Sequence, residues 1–376
     1  MPLHHIPRHF DLRRAVSLGL AVVLLTGLAA ATHPAPQQPV AVALSATSDP
    51  VRTNPSPAAP ALHAPAKKAV KPPVRKAKPA HKTARAKPVE RWLPAGTGMW
   101  IHDWSRTEGG HAGLVVQRAK AAGLTHLFVQ TGSSKKGWIG QPVLSQLLPA
   151  TKNTDIKVVA WDFPKLVNPE DDARRLAKAA WWRRPGVPMV AAVAPDIETA
   201  AEGTHATPST INRYYRTLRK ALPAHVAVLA TVPWPSENRV SRYPYVRTAL
   251  YVDAFVPMAY WYNRSPSRVT ATSMRLLKRY GKPVFPVGQG YDGRLDAPYL
   301  KPDKAPGKSV DAFVQAARSS GATSISLWSW QTTGMQQWMA LHRASNKYAP
   351  KPAPKPAPAA RTKATKPGWH PGGRPR

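Results

Sequence analysis

Between positions 96 and 346 short apolar runs alternate with amphipathic stretches of helical period. The apolar runs fall at 97–102, 126–130, 156–161, 189–194, 226–232, 254–258, 284–287 and 324–328. Helical candidates lie between or after them at 112–122, 142–148, 171–182, 208–222, 268–280, 309–319 and 335–345. Thr207-Pro208 supplies a start signal for one helix, and Gly123, Gly281 and Gly321 close others, because proline suits a first helical turn and glycine a helix end. The link at 242–250 predicts only a short, irregular helix. Strands that alternate with helices pair in parallel, so eight such units over about 250 residues predict an α/β fold of the (β/α)8 TIM-barrel type.

In that architecture the carboxyl ends of the strands form the functional rim. Those ends carry His102, Asp103 and Trp104 after the first strand, Trp161 and Asp162 after the third, and Asp196 and Glu198 at the fourth. Trp234 and Glu237 follow the fifth, Tyr260, Trp261 and Tyr262 the sixth, Tyr291 and Asp292 the seventh, and Trp328 and Trp330 the eighth. Carboxylates and large aromatics therefore share one rim. Sugars offer CH faces to indole and phenol rings and hydroxyls to carboxylates, so such a rim implies a carbohydrate site. For any single Trp, packing is the competing explanation; the clustering favours the site.

Asp196-Ile197-Glu198 is the most informative motif. The chain holds only 19 Asp and Glu against 54 Lys and Arg, so a carboxylate pair in an apolar stretch is not a solvated charge run. Residues two apart on a strand face the same side, about 6.6 Å apart along it. Glycoside hydrolysis needs one carboxylic acid to protonate the leaving oxygen and a second group to stabilise or attack the oxocarbenium-like centre. Glu198 is the candidate acid: apolar neighbours desolvate it and Asp196 adds like-charge pressure, both favouring the protonated form. The competing reading pairs Asp196 and Glu198 with barrel arginines. Asp103 and Asp162 could orient substrate, accept a proton or cap a loop. Trp104, Trp161, Trp234, Tyr260, Trp261, Tyr291, Asp292 and Trp330 complete the candidate substrate contacts. Glu237 reads as a loop residue and Asp253, at a strand start, as structural. His102 beside Asp103 lacks any HxxxH or HxxE partner inside the barrel, so no metal and no cofactor is expected.

Composition changes sharply outside this region. Residues 1–31 run from Arg8, Arg13 and Arg14 through an apolar stretch to Ala29-Ala30-Ala31, the layout of a secretory signal peptide. The apolar stretch is short of the ~20 residues of a membrane span, which leaves a retained anchor as the alternative. Residues 32–95 and 347–376 are rich in Pro, Ala, Lys and Arg and are expected to be a disordered linker and tail. These arms account for part of the net charge of +35: 32–91 carries 11 basic residues against Asp49 and Glu90, and 347–376 carries 8 with no acid. A secreted or wall-associated protein with such arms suits an anionic wall polymer, or the arms are solvated spacers. Nucleic acid is disfavoured by the export signal and the lack of a nucleic-acid motif. With no cysteine, disulfides, a lipidated cysteine and thiolate metal sites are excluded. A monomer is expected.

With these residues placed, the barrel resembles the glycosidase superfamily that includes chitinase-like family 18 and lysozyme-like family 25 enzymes. In the chitinase-like family the fourth strand carries DxxDxDxE. The resemblance implies that Glu198 is the acid and that Asp196 positions the substrate's N-acetyl group, while Ala191 and Ala194 occupy the two earlier Asp positions. Met258-Ala259-Tyr260 matches the M-x-Y of that family's sixth strand, where the Tyr supports the substrate-assisted intermediate, but Trp261 replaces the following Asp. Trp328 or Trp330 matches the Trp that closes the eighth strand. The lysozyme-like pattern, a DxE with an early Asp, is met by Asp196, Glu198 and Asp103. The resemblance implies a polysaccharide or peptidoglycan substrate. A non-catalytic wall-binding barrel and a polyanion binder acting through its arms are the rival readings.

Overall fold

The computed structural model describes residues 89–348. The expected signal segment, most of the linker and nearly all of the tail lie outside the described residues. Within them, β1 (Gly96–Ile101), β2 (His126–Ser133), β4 (Lys157–Phe163), β5 (Ala192–Pro195), β6 (Ala227–Pro233), β7 (Ala254–Ala259), β8 (Val287–Gln289) and β9 (Ser324–Trp328) form one parallel sheet. Pairing of β1 with both β2 and β9 closes it into an eight-stranded barrel. A two-residue strand, β3 (Gly137–Trp138), adds antiparallel to the end of β2. The fourth barrel strand is therefore β5.

The helices are α1 (Ala112–Ala121), α2 (Gly140–Ala150), α3 (Pro169–Trp181), α4 (Pro208–Ala221), α5 (Tyr245–Ala249), α6 (Pro266–Lys278), α7 (Pro306–Ser319) and α8 (Met335–Tyr348). Proline opens α3, α4, α6 and α7, where its missing N–H has no intrahelical partner to lose. The connection from β6 to β7 is the irregular one the sequence predicts: a single 3-10 turn and the five-residue α5.

Strand alternation sorts the core into two layers. Trp100, Phe128, Val159, Trp161, Ala192, Ala194, Ala227, Leu229, Ala254, Val256, Phe285 and Val287 fill the lumen. Their sequence neighbours, such as Met99, Ile101, Leu127, Val158, Val193, Val228 and Leu327, pack under the helices. The lumen is uneven: large rings come from β1, β2 and β4, while β5, β6 and β7 contribute alanines that leave space for them. Trp100 stacks flat on Phe128 at 4.1 Å.

Two strands start later than the hydrophobic pattern implies. The fourth begins at Ala192, not 189, and the seventh runs Val287–Gln289, with only a bridge from Phe255 to Val284 before it. Pro283 and Pro286 lack the N–H a ladder needs. The folded unit also begins before 96. Trp92 and Leu93 pack against the lumen core, and Arg91 bonds the Ala224 carbonyl at 2.8 Å and the Asp253 carboxylate at 3.2 Å.

Candidate active site

The backbone of β5 stays extended past its last ladder residue. Asp196 N–H donates to the Asp162 carbonyl at 2.9 Å and Ile197 N–H to the Thr231 carbonyl at 3.2 Å, so alternation continues. Ala192 and Ala194 face the lumen and Ile197 is fully buried in the helix layer, which turns Asp196 and Glu198 to the lumen side at the barrel mouth. Asp196 is 5 % exposed and its Oδ1 has no hydrogen-bond partner. Glu198 is half-buried. Neither carboxylate forms an ion pair among the described residues, so the alternative of arginine partners is not found.

Charge and burial set the protonation of this pair. Desolvation, then the negative charges of Asp162 and Glu202, push Asp196 up to about 7. Desolvation and then Asp196 and Glu202 hold Glu198 well above the ordinary carboxylate range. One cation opposes this on both residues, Lys165 in the β4–α3 loop. Its ammonium bonds the Glu202 carbonyl and lies 4.2 Å from the centre of the Phe163 ring, and burial lowers its own pKa. Glu202 is fixed by Thr199, whose N–H and hydroxyl both donate to its carboxylate. Sequence reasoning missed Lys165 and Glu202; the signal available was their place in the loops that follow the third and fourth barrel strands.

Across the mouth, Tyr260 at the end of β7 is half-buried and meets Tyr291 edge-on at 5.6 Å. Burial and then the nearby Asp196 and Glu198 push its phenol upward, so it remains a neutral O–H donor. The Tyr291 and Tyr262 hydroxyls donate to Asp296 Oδ2 at 2.5 and 2.9 Å. Gln289 ties the two tyrosines: it accepts from Tyr262 N–H at 2.7 Å and donates to the Tyr291 carbonyl at 3.1 Å. Burial raises Asp296 while the tyrosine bonds lower it, and its charge acts on Glu198 and Tyr260. Asp296 was not foreseen, because it stands in an irregular loop beyond β8 where no periodicity marks it.

The floor and one wall are aromatic. Trp328 is half-buried, stacks on His102 at 5.4 Å and contacts Trp161 at 5.4 Å and Trp100 at 5.8 Å. Trp161 is 2 % exposed and its indole N–H donates to the Ile101 carbonyl at 3.0 Å, so it forms floor and not platform. Trp234 is half-buried beneath the Arg264 guanidinium at 5.9 Å. Between the ends of β1 and β2, His102, Trp104 and Gln130 line a cavity of about 70 Å3. His102 Nδ1 and the Trp104 indole N–H are both without partners, and burial lowers the imidazole pKa.

Several expected contacts are placed elsewhere. Asp162 points outward and is gripped by Arg175 on α3. Asp103 caps its own loop, accepting from the Ser105 hydroxyl at 2.8 Å and Arg106 N–H at 3.3 Å. Trp261 is buried against Phe313 in the helix layer, at 5.8 Å. Asp292 opens a 3-10 turn and pairs with Arg294 at 2.5 Å. Trp330 packs on Trp338 at 5.0 Å and donates to Glu108 at 3.1 Å. In each of the pairs Trp161-Asp162 and Tyr260-Trp261 one side chain faces the lumen, so its neighbour faces the helices. Among the described residues no three His, Asp or Glu side chains form a metal-holding group.

No family model matches the sequence, and no curated protein does. Among solved structures, the endo-β-1,4-mannanase from Thermotoga petrophila superposes with a TM-score of 0.50, over 68 % of this chain and 77 % of that one, at 11 % identity. A family 18 chitinase from Cycas revoluta, in complex with allosamidin, gives 0.49 over 68 % and 99 % at 11 % identity. The family 99 endo-α-mannosidase from Bacteroides thetaiotaomicron gives 0.48 over 68 % and 96 % at 14 % identity. The likeness is one of fold: this chain shares its (β/α)8 barrel with glycoside hydrolases.

Proposed function

We propose that the protein hydrolyses glycosidic bonds of an amino-sugar polysaccharide, with Glu198 as general acid. The observation that carries this reading is Glu198 itself. It is a lumen-facing carboxyl at the mouth, free of any arginine, whose burial and acidic neighbours keep it protonated where an ordinary glutamate is ionised. A proton held in that way is available to a leaving glycosidic oxygen. Asp196, two residues inward and so on the same side, supplies the negative charge that stabilises the developing oxocarbenium ion or orients an N-acetyl group. The Tyr260 hydroxyl is a donor to the same centre, and Trp328 and Trp234 are stacking faces for the sugar rings. Cell-wall glycan is the substrate that fits an export segment at 1–31.

Glu198→Gln preserves shape but has no proton to give. It should lower kcat by about 10²–10⁴-fold with little change in glycan affinity. The assay is release of reducing ends from peptidoglycan and from chitin oligomers by the full chain; turnover near wild type in Glu198→Gln removes Glu198 from the role.

A second reading, a sugar-binding barrel without chemistry, is favoured by one feature. Ala194 lies in the lumen directly inward of Asp196, where the chitinase-like motif has a carboxylate, and Asp196 Oδ1 is left unpartnered. Glycan retention with no reducing ends released, by wild type and Glu198→Gln alike, selects that reading.

A further inference from the structure

A second concavity adjoins the mouth. Tyr262, Asn263 and Arg264 of the β7–α6 loop face Lys301, Asp303 and Lys304 of the β8–α7 loop across a groove of about 500 Å3. Tyr262 belongs to both places, since its hydroxyl is bonded to Asp296 beside the catalytic carboxylates while its residue lines the groove.

The groove carries three cations against one acid. Arg264, Lys301 and Lys304 are exposed, and none has an ion-pair partner among the described residues. The neighbouring cations differ, since Arg294 is neutralised by Asp292 and Arg275 by Glu237. The groove's one acid, Asp303, accepts from Ala305 N–H at 2.9 Å at the entry to α7. Arg264 is oriented by the face of Trp234, 5.9 Å below it, and Trp234 stands at the end of β6. The barrel region as a whole, 96–346, has 32 Lys and Arg against 16 Asp and Glu. Three like charges around one groove repel each other in the free protein and concentrate anions there.

We propose that this groove binds a carboxylate or phosphate group of the glycan, so that the polysaccharide served by the site is an acidic one. The anion sits next to the reacting sugar, with Tyr262 between them, and a neutral polymer leaves the three cations unused. That the bound polymer is also cleaved rests on the glycosidase reading; anion recognition does not.

The experiment compares the full chain with its Arg264→Gln/Lys301→Gln/Lys304→Gln variant by calorimetric binding at 0.1 M salt. The probes are N-acetylglucosamine oligomers, peptide-free glycan strands bearing lactyl carboxylates, and a glycerol-phosphate polymer. The basic arms are present in both proteins, so a difference between them reports on the groove. The expected result is a loss of about tenfold on one anionic probe, the scale of three exposed ion pairs, with the neutral oligomer unchanged. The probe that loses affinity tells carboxylate from phosphate. The triple Glu variant should lose more than the Gln variant on that probe. Equal affinity of wild type and Gln variant for both anionic probes overturns the proposal, and so does a loss on the neutral oligomer as large as that on the anions. Selective loss on an anionic probe together with no turnover by wild type overturns the glycosidase reading alone.

Discussion

Arg175 holds both carboxylate oxygens of Asp162, donating from Nε at 2.8 Å and Nη2 at 2.6 Å, while its Nη1 reaches Asp172 at 2.7 Å. The Asp162 side chain is wholly buried, and a Cβ at Gly132 would collide with its Oδ2. This pair ties β4 to α3 behind the rim. Burial pushes Asp162 up to about 6 against the pull of the Arg175 bonds. Asp162 therefore faces away from the mouth, yet its charge is among the causes that raise Asp196.

Removing Arg175 strands the buried Asp162 carboxylate, while Asp172 keeps its bonds from the Ser134 hydroxyl and Leu166 N–H. Arg175→Ala is expected to destabilise the fold by about 3–5 kcal/mol, read as a lower denaturant midpoint. Arg175→Lys should recover only part, because one ammonium cannot span two oxygens as a guanidinium fork does. An unfolding free energy for Arg175→Ala within about 1 kcal/mol of wild type would show that the pair is not structural.

Asp196 should stabilise the fold least where it is ionised. Its folded pKa, about 7, lies above the value of 3.8 for a free side chain, so the native state binds the extra proton between those limits. Stability then declines as pH rises from about 4 through about 7. Asp196→Asn removes this residue's share of the slope, while Glu198, raised in the same direction, keeps its own. The variant should be more stable than wild type at pH 8, by at most a few kcal/mol, and level with it near pH 4, as thermal unfolding at the two pH values can check. A variant less stable at pH 8 contradicts the assignment.

The barrel was legible because eight apolar runs and their helices each obey a local period, and Asp196-Ile197-Glu198 was legible because period two survives beyond Pro195. What failed was orientation at strand ends. Trp161-Asp162 and Tyr260-Trp261 each read as two rim residues, whereas alternation sends Asp162 to Arg175 and Trp261 to Phe313. Asp103 and Asp292 spend their oxygens on their own loops, a local preference of Asp that competes with any functional role. Lys165, Glu202 and Asp296 come from loops whose paths depend on tertiary packing, so nothing in the linear pattern marked them.

The two indoles Trp261 and Trp328 should separate stability from recognition. Trp261→Ala empties a core position against Phe313 and is expected to cost about 3–5 kcal/mol, leaving the glycan affinity of the folded fraction intact. Trp328→Ala exposes the His102 and Trp161 faces it covers and should weaken glycan binding by about tenfold or more. Calorimetry on both variants checks this, and equal affinity losses would count against the placement.

Lys165 offers the sharpest test of the electrostatics. It is the one cation among the causes acting on Asp196 and Glu198, and it lowers both. Lys165→Met removes that pull, so both carboxyls should hold their protons to higher pH. If Glu198 must be protonated and Asp196 ionised for turnover, the alkaline limb follows Glu198 and the acid limb follows Asp196. The whole pH profile of kcat/KM is then expected to move upward, while Lys165→Arg, which keeps the charge, should leave it near its original position. A purely structural Lys165 would lower the rate without moving either limb. The displacement is also visible without turnover, by carbon-13 titration of the labelled carboxyls. A profile that stays fixed or moves downward in Lys165→Met would mean that Glu198 does not feel Lys165 as the geometry requires.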